Sequence, residues 1–515
     1  MSSGSYTRRS FLKDVGLGVS SVVMSSFVGS ESLGGQKRQL PNIVYILADD
    51  MGYGDLACQN PQSKIPTPNL DELAKQGVRF TDAHSPSAVC TPTRYGILTG
   101  RYCWRTRLKE WVLWGFGEPL IEPDRLTVGK LLQKQGYHTA AIGKWHLGFD
   151  WPTKDGKPQT NTGSNVDFSK PIKNGPLARG FDYYFGVDLP NSPPYCYIEN
   201  DRTIGIPSVP KPKNMFGWDG PMLAEGWDLE KVLPDLTEKA VSHIDKHAKG
   251  SAGKPLFLYF ALTAPHAPVA PAYEFRYRTS AGGYGDFVFQ LDWTVGQVVK
   301  ALKRNGMYEN TLIIFTSDNG SCGLDGYGMY GEINGVKKKF GHNPSRPWRG
   351  MKADAWEGGH RVPFIASWPG KIKPGTTCSE TISLVDFMST TAAIVGQKLP
   401  ESAGEDSYNI LPALLGEKYE NPIREATVEH SGDGMFAIYQ GEWKLILGRG
   451  SGGFTKPKRI KPGPGEALGQ LYNLKEDPVE SNNLYQQRSD IVRHLTALLE
   501  KYKKQGHSRP AKKLI

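Results

Sequence analysis

Cysteine is scarce in this chain, with six thiols in 515 residues, and neither a C-x-x-C pair nor a histidine-rich spacing accompanies them. This excludes a disulfide scaffold and a thiolate-bound zinc module. Long apolar runs are lacking as well. The stretch from Val15 to Val28 is short and rich in Gly and Ser, whereas a bilayer span needs roughly 20 mostly apolar residues, so no membrane span is expected. No internal repeat and no zinc-finger, RNA-binding or helix-turn-helix signature is found, which leaves nucleic acid outside the expected partners.

What is present begins with 59 Gly and 37 Pro in a chain that is 38% hydrophobic. That composition describes a globular protein with long loops and a loop-built site. Arg8 and Arg9, followed by Phe11-Leu12-Lys13 and the weak apolar run, have the charged, apolar and small-residue order of a secretion signal. They resemble the bacterial twin-arginine type, with residues 1–30 as the signal and the periplasm or exterior as the destination. That route moves proteins already folded. The net charge is +10, and the tail from Leu499 to Ile515 sets six basic side chains against Glu500 alone. Such a balance favours anionic partners.

Four apolar runs of strand type each end on polar residues that can do chemistry. "NIVYILADD" leads into Asp49 and Asp50, "YHTAAIGKWHLG" into Lys144 and His146, "PLFLYFALTAPHAP" into His266, and "TLIIFTSDNG" into Asp318 and Asn319. Between them lie helical patterns: "TPNLDELAKQG" with Gly77 as its C-cap, "LTVGKLLQKQG" with Gly136, and "DFVFQLDWTVGQVVKALKRNG" with Gly306. The alternation predicts an α/β fold with a large, mostly parallel sheet between helices, its ligands at the carboxyl ends of the strands. After residue 415 the texture changes. "MFAIYQGEWKLIL" reads as two antiparallel strands turning at Gly441, and "SDIVRHLTALLEKYKKQG" as an amphipathic helix. The organisation is therefore a main domain over 38–415 and a small α+β subdomain over 416–515.

On one rim of that sheet Asp49, Asp50, Asp318 and Asn319 form an all-oxygen ligand set suited to Ca²⁺ or Mg²⁺. Lys144, His146, His266 and Lys352, the last in "RGMKADAWEGGHRVPF", would make a cradle for a tetrahedral oxyanion beside the cation. Cys90 opens "CTPTRYGILTGR" at a helix start, where a thiol could serve for packing, a disulfide, or nucleophilic attack.

"CTPTRYGILTGR" resembles the signature of the type I sulfatases, in which C-x-P-x-R directs oxidation of the cysteine to formylglycine. The similarity runs over most of the chain: "NIVYILADDMGYGDL", "GYHTAAIGKWHLG", "APHAP", "TSDNG", "KADAWEGGHRVP" and "LYNLKEDPVESNNL" occur in the family's order and spacing. The resemblance implies an alkaline-phosphatase-like α/β/α sandwich. It makes Asp49, Asp50, Asp318, Asn319 and the modified Cys90 side chain the metal ligands, for Ca²⁺ or sometimes Mg²⁺. Arg94 supports the modified side chain, Lys144 and His146 lie near its hydroxyls, and His266 and Lys352 face the sulfate and the leaving oxygen. A formylglycine-generating enzyme is implied as the maturation partner.

The expected activity is hydrolysis of a sulfate ester, most of all on a sulfated saccharide. Two other readings stay open on the sequence: a phosphodiesterase or phosphonate monoester hydrolase of the same superfamily, and a dead sulfated-glycan-binding protein. A two-zinc phosphatase would need further His and Asp ligands where this chain has Asp318-Asn319. The loop-rich stretches 188–220 and 322–350 are expected to shape the substrate pocket, and Lys337, Lys338, Lys339, His342, Arg346 and Trp348 in the second are the expected contacts to a sulfated sugar, with a solvated loop face as the alternative.

Overall fold

Successive side chains of the strand Asn42–Asp49 are buried on both sides, as expected for a strand covered by helices on each face. Ile43, Tyr45 and Leu47 enter one apolar core with Tyr95, Leu98 and Phe387. Val44, Ile46 and Ala48 enter another with Leu70, Leu236 and Leu291. The computed structural model describes residues 39–212, 221–251, 253–327 and 331–510; the twin-arginine segment lies outside them. From Leu40 onward the chain forms one compact unit. Among the described residues no helix is long and apolar enough to cross a membrane.

The main sheet has ten strands. At its centre Thr311–Ser317, Asn42–Asp49, Leu256–Pro265, His138–Lys144 and Tyr183–Val187 run parallel in that order. Phe364–Ser367 joins antiparallel beside Thr311–Ser317. The register pairs Ile43 with Phe257 and with Leu312. It shifts just before Asp49, which lies opposite Pro265, so the ends of the two central strands are offset where the polar residues begin.

The helices Pro68–Lys75, Leu229–Gly250 and Gly282–Arg304 cover one face, and Cys90–Thr99, Val128–Lys134 and Phe387–Ile394 the other. Gly136 and Gly306 adopt the left-handed conformation after their helices. Gly77 does not: the first helix closes at Gln76. A Cβ at Gly77 would lie 2.0 Å from the Ala366 carbonyl oxygen, so that glycine serves close approach to a neighbouring strand, not a cap.

Thr427–His430, Phe436–Gln440, Trp443–Ile446 and Gln470–Asn473 form a separate antiparallel sheet, with Gly441 at the predicted turn. The amphipathic helix Ser489–Gln505 packs on it through Leu495, Leu498, Leu499 and Tyr502. Buried charge fastens this sheet to the main body, at the helix Glu357–His360 and the short strand Ala83–His84. Lys444 Nζ donates to Glu357 Oε1 and to His360 Nε2, both at 2.8 Å, and lies 3.0 Å from Glu480 Oε1. His84, bonded to Asp82 at 2.7 Å, faces Glu429 at 3.1 Å. All six cysteines are unpaired.

Candidate active site

The carboxyl ends of the parallel strands deliver the site. Asp49 ends one strand, Lys144 ends another, and Asp50, His146, His266 and Asp318 follow their strands by one or two residues. Cys90 is the first residue of the helix Cys90–Thr99. That ten-residue helix is buried along its whole length, with Pro92 in the first turn, where its missing N–H costs nothing. Asp50, His146 and Ala353, next to Lys352, all have positive φ. These are uncommon conformations for residues other than glycine, and they cluster where side chains must be aimed.

Charged contacts knit these pieces together. Lys144 Nζ donates to both oxygens of Asp49, at 3.0 and 2.8 Å. Arg94 Nε and Nη2 donate to Asp318 Oδ2 at 3.0 and 2.7 Å, and its Nη1 to the Lys144 carbonyl at 3.1 Å. Lys352 Nζ donates to Asp50 at 2.7 Å and lies 3.5 Å from Cys90 Sγ. The Cys90 sulfur is 3.9 Å from Asp50 Oδ1. Ligand atoms of Asp49, Asp50, Cys90 and His266 fall within 4.8 Å of one another. All ten residues singled out in the sequence thus meet in one place.

A hard divalent cation fits the donor set. Asn319 donates from Nδ2 to Asp50 Oδ1 at 2.7 Å, while its Oδ1 is buried without a hydrogen-bond partner. Burial beside Asp49 pushes the Asp318 carboxyl up to about 7, even with Arg94 on it. Asp49 faces the same burial, yet Lys144, His266 and Arg94 hold it well below the usual carboxylate range. Three acidic and three basic side chains roughly balance in charge here. A divalent ion would relieve the crowded carboxylates and leave a net positive charge that suits an oxyanion.

Each histidine keeps one nitrogen for chemistry. His146 donates from Nε2 to the Leu113 carbonyl at 2.7 Å, and its Nδ1 is buried with no partner. His266 donates from Nδ1 to the Ala267 carbonyl at 2.5 Å, leaving Nε2 to face Asp50 at 3.6 Å. Burial lowers both imidazoles: His146 goes well below its ordinary value, helped by Lys144 and Arg94, and His266 to about 4, although Asp50 pulls it up. Burial likewise pushes the Cys90 thiol up to about 12 against the pull of Lys144 and Lys352. A thiol so raised is a poor thiolate nucleophile.

A cavity of about 380 Å³ opens over Cys90, His146, His266 and Lys352. Its walls are Trp111, Leu113, Trp114, Leu189, Ile333 and Phe454, with Asn191 and Ser192 at one side. The two loop-rich stretches expected to shape the pocket supply Leu189, Asn191, Ser192 and Ile333; sequence reasoning missed Trp111, Leu113, Trp114 and Phe454, for which the one available signal was the aromatic-rich run "WVLWGFG" outside any helix or strand period. Ile333 brings the second loop-rich stretch to the cavity, but the six side chains expected to meet a sugar do not line it. His342 is buried on Asp55 at 2.7 Å, Lys338 and Lys339 pair with Glu332 and Asp325, and Trp348 packs edge-on against Tyr53. None of the six expected residues lines the cavity, and four of them, Lys338, Lys339, His342 and Trp348, are committed to carboxylates or to an aromatic neighbour.

A family model described as Sulfatase matches residues 41–397. The chain is 34% identical to the N-acetylgalactosamine-6-O-sulfatase of Bacteroides thetaiotaomicron over 91% of this chain and 94% of that protein. It is 31% identical to the mouse N-acetylgalactosamine-6-sulfatase, over 79% of this chain and 72% of the relative. A solved structure from work on glycosaminoglycan metabolism by B. thetaiotaomicron superposes with a TM-score of 0.78 and 33% identity, covering 90% of this chain and all of the other.

Proposed function

The chain belongs to the sulfatase family, whose members hydrolyse sulfate esters, and from that premise we propose that it removes sulfate from a glycan through a formylglycine made from Cys90. Asp49, Asp50, Asp318 and Asn319 would hold the metal together with the modified Cys90 side chain, calcium being the first choice and magnesium the second. The observation that carries this reading is the pair of uncommitted atoms at the site, His146 Nδ1 and Asn319 Oδ1, buried without partners, with Lys352 Nζ, bonded to Asp50, 3.5 Å from the Cys90 sulfur.

A cation held there would supply Lewis acidity and offset the negative charge of the sulfate ester. The hydrated aldehyde supplies a nucleophilic hydroxyl and retains a second one for release of sulfate, which a thiol or a serine lacks. The chain's own residues do the rest. Lys144 and Lys352 hold sulfate oxygens and stabilise charge that grows there. His146 accepts a proton at Nδ1, because Nε2 already carries its hydrogen toward Leu113. His266 presents a proton from Nε2 to the departing alcohol oxygen, and the bound anion favours its protonation. Arg94 is a positioning residue: it is fully buried and fixes Asp318 and the Lys144 backbone.

Residues 1–30 fit folded export, which would place cysteine oxidation in the cytoplasm, before translocation. The formylglycine-generating enzyme is then a cytoplasmic partner.

Peptide mass spectrometry of Cys90 from the native host, paired with sulfate release from defined sulfated oligosaccharides, tests the reading. The expected results are a mass lowered by that of H₂S less one oxygen, and turnover of saccharide sulfates. Dominant cleavage of phosphate diesters, or an unmodified thiol with no turnover, would overturn it.

A further inference from the structure

Among the described residues, the walls around the cradle carry no charge. This chain carries 62 Lys and Arg residues, yet among the described residues lining the cavity the single one of either type is Lys352, already bonded to Asp50. Beyond the cradle the surface is aromatic and aliphatic, with Asn191 and Ser192 the neutral polar exceptions. Trp114 is 57% exposed and Ile333 44%, so two large apolar side chains face solvent at one cavity. Apolar surface left open in this way marks a contact site.

The wall is also rigid. Trp111 N donates to the Gly432 carbonyl at 2.7 Å, Leu113 N to Thr91 Oγ1 at 3.2 Å, and the Leu113 carbonyl receives His146. A Cβ on Gly115 would meet the Pro193 carbonyl oxygen at 2.3 Å, so the loop is packed hard against its neighbour. Trp111 and Phe454 stand 5.8 Å apart, ring centre to ring centre. The cavity, about 380 Å³, is at the small end of the roughly 300–1,000 Å³ typical of ligand sites.

Resting on the sulfatase reading, we propose that the ring bearing the scissile sulfate is an uncharged sugar ring, whose apolar face lies on the Trp111–Trp114 wall. A carboxylate or second sulfate pressed on this wall would lose its water and find no cation in return. Trp114 and Ile333 are then specificity-determining residues.

The test uses the matured enzyme and measures sulfate release from three kinds of ester: nitrophenyl sulfate, positional isomers of a monosulfated neutral N-acetylhexosamine, and the same sulfated ring flanked by uronates. The expected result is a kcat/KM at least tenfold higher for the free neutral ring than for the flanked one. Trp114→Ala should lower kcat/KM for the neutral ring by roughly tenfold, mainly through KM, since a stacking platform binds ground and transition states alike. Ile333→Arg should narrow the gap between neutral and uronate-flanked rings. Sulfate release that is equal or faster from the flanked ring, or a Trp114→Ala variant with unchanged KM, would overturn this inference and leave the sulfatase reading standing. No release from any ester, with Cys90 converted, would overturn both.

Discussion

Replacing Lys444 with methionine should destabilise the protein by an amount that depends on pH. Lys444 is fully buried between Glu357, 2.8 Å away, and Glu480, 3.0 Å away. Glu357 keeps Arg361 at 2.9 Å after the change. Glu480 keeps a backbone donor, the Glu357 N–H at 2.8 Å, but loses the cation that holds it down. Removing one partner of a buried pair costs about 3–5 kcal/mol. Part of that cost is avoided if Glu480 takes up a proton, and burial has already raised it to about 7, with Lys444 lowering it and Glu357 raising it. A carboxyl whose folded value exceeds its unfolded one loses stability as pH rises between the two, by up to about 1.4 kcal/mol per pH unit. Lys444→Met raises the folded value further and widens that window upward. The wild type has given up its own share by about pH 7, so between pH 6 and pH 8 the penalty should grow by about 1.4 kcal/mol, nearly all of it above pH 7. For a body this large, roughly 1 kcal/mol corresponds to one degree, so melting should fall by about 3–5 °C at pH 8 and clearly less at pH 6. Adding Glu480→Gln should recover most of the loss at pH 8 and little at pH 6. A loss below about 1 kcal/mol at pH 8, or one independent of pH, would refute the argument that this charge fastens the C-terminal sheet to the main body.

Cys90→Ser should leave melting unchanged within about a degree and lower sulfate turnover by about 10³-fold or more, since removing a covalent nucleophile's release step disables the cycle. His266→Gln should slow release of alkyl sulfates by roughly 10²- to 10⁴-fold, and much less for nitrophenyl sulfate, whose leaving group needs no acid; equal losses on both would remove His266 from that role. Calcium at 100 times its dissociation constant should stabilise the fold by about 2.7 kcal/mol, and Asp50→Asn should abolish that gain in a melting titration. Burial alone would lower His84, but Glu429, Glu357 and the bond to Asp82 raise it to about 9. Its contribution is thus complete below its unfolded value of about 6.5 and is lost as pH climbs through 9. Wild-type melting should accordingly fall between pH 7 and pH 10 more steeply than that of His84→Gln.

The rim chemistry was legible because each central strand is a continuous apolar run that stops where its polar residues begin: Ala48 and Asp49, or Thr316 and Asp318, mark the boundary in letters alone. The direction of chain travel in a parallel sheet then puts those boundaries on one edge. The aromatic part of the cavity wall was not legible. Trp111 and Phe454 meet at 5.8 Å although 343 positions separate them, and neither sits in a helix or strand whose period could betray a shared face. Basic letters misled for a related reason. Lys338 and Lys339 look available in sequence, but carboxylates on Glu332 and Asp325, one turn of loop away, take them up. Gly77 shows the same limit at the scale of one residue. Its position after a helix reads as a cap, and the neighbour that actually requires it is Ala366, nearly 300 residues downstream.

The bond from His146 to residue 113 ends on a main-chain carbonyl, an acceptor that every amino acid supplies. The tautomer of the base is therefore indifferent to which side chains the wall displays. Residues 111, 112 and 114 can change toward a different sugar while the loop path, and with it the proton on Nε2, stays as it is. Lineages of this fold could trade substrates by editing a few letters of one braced loop, and the reaction would not have to be reinvented each time.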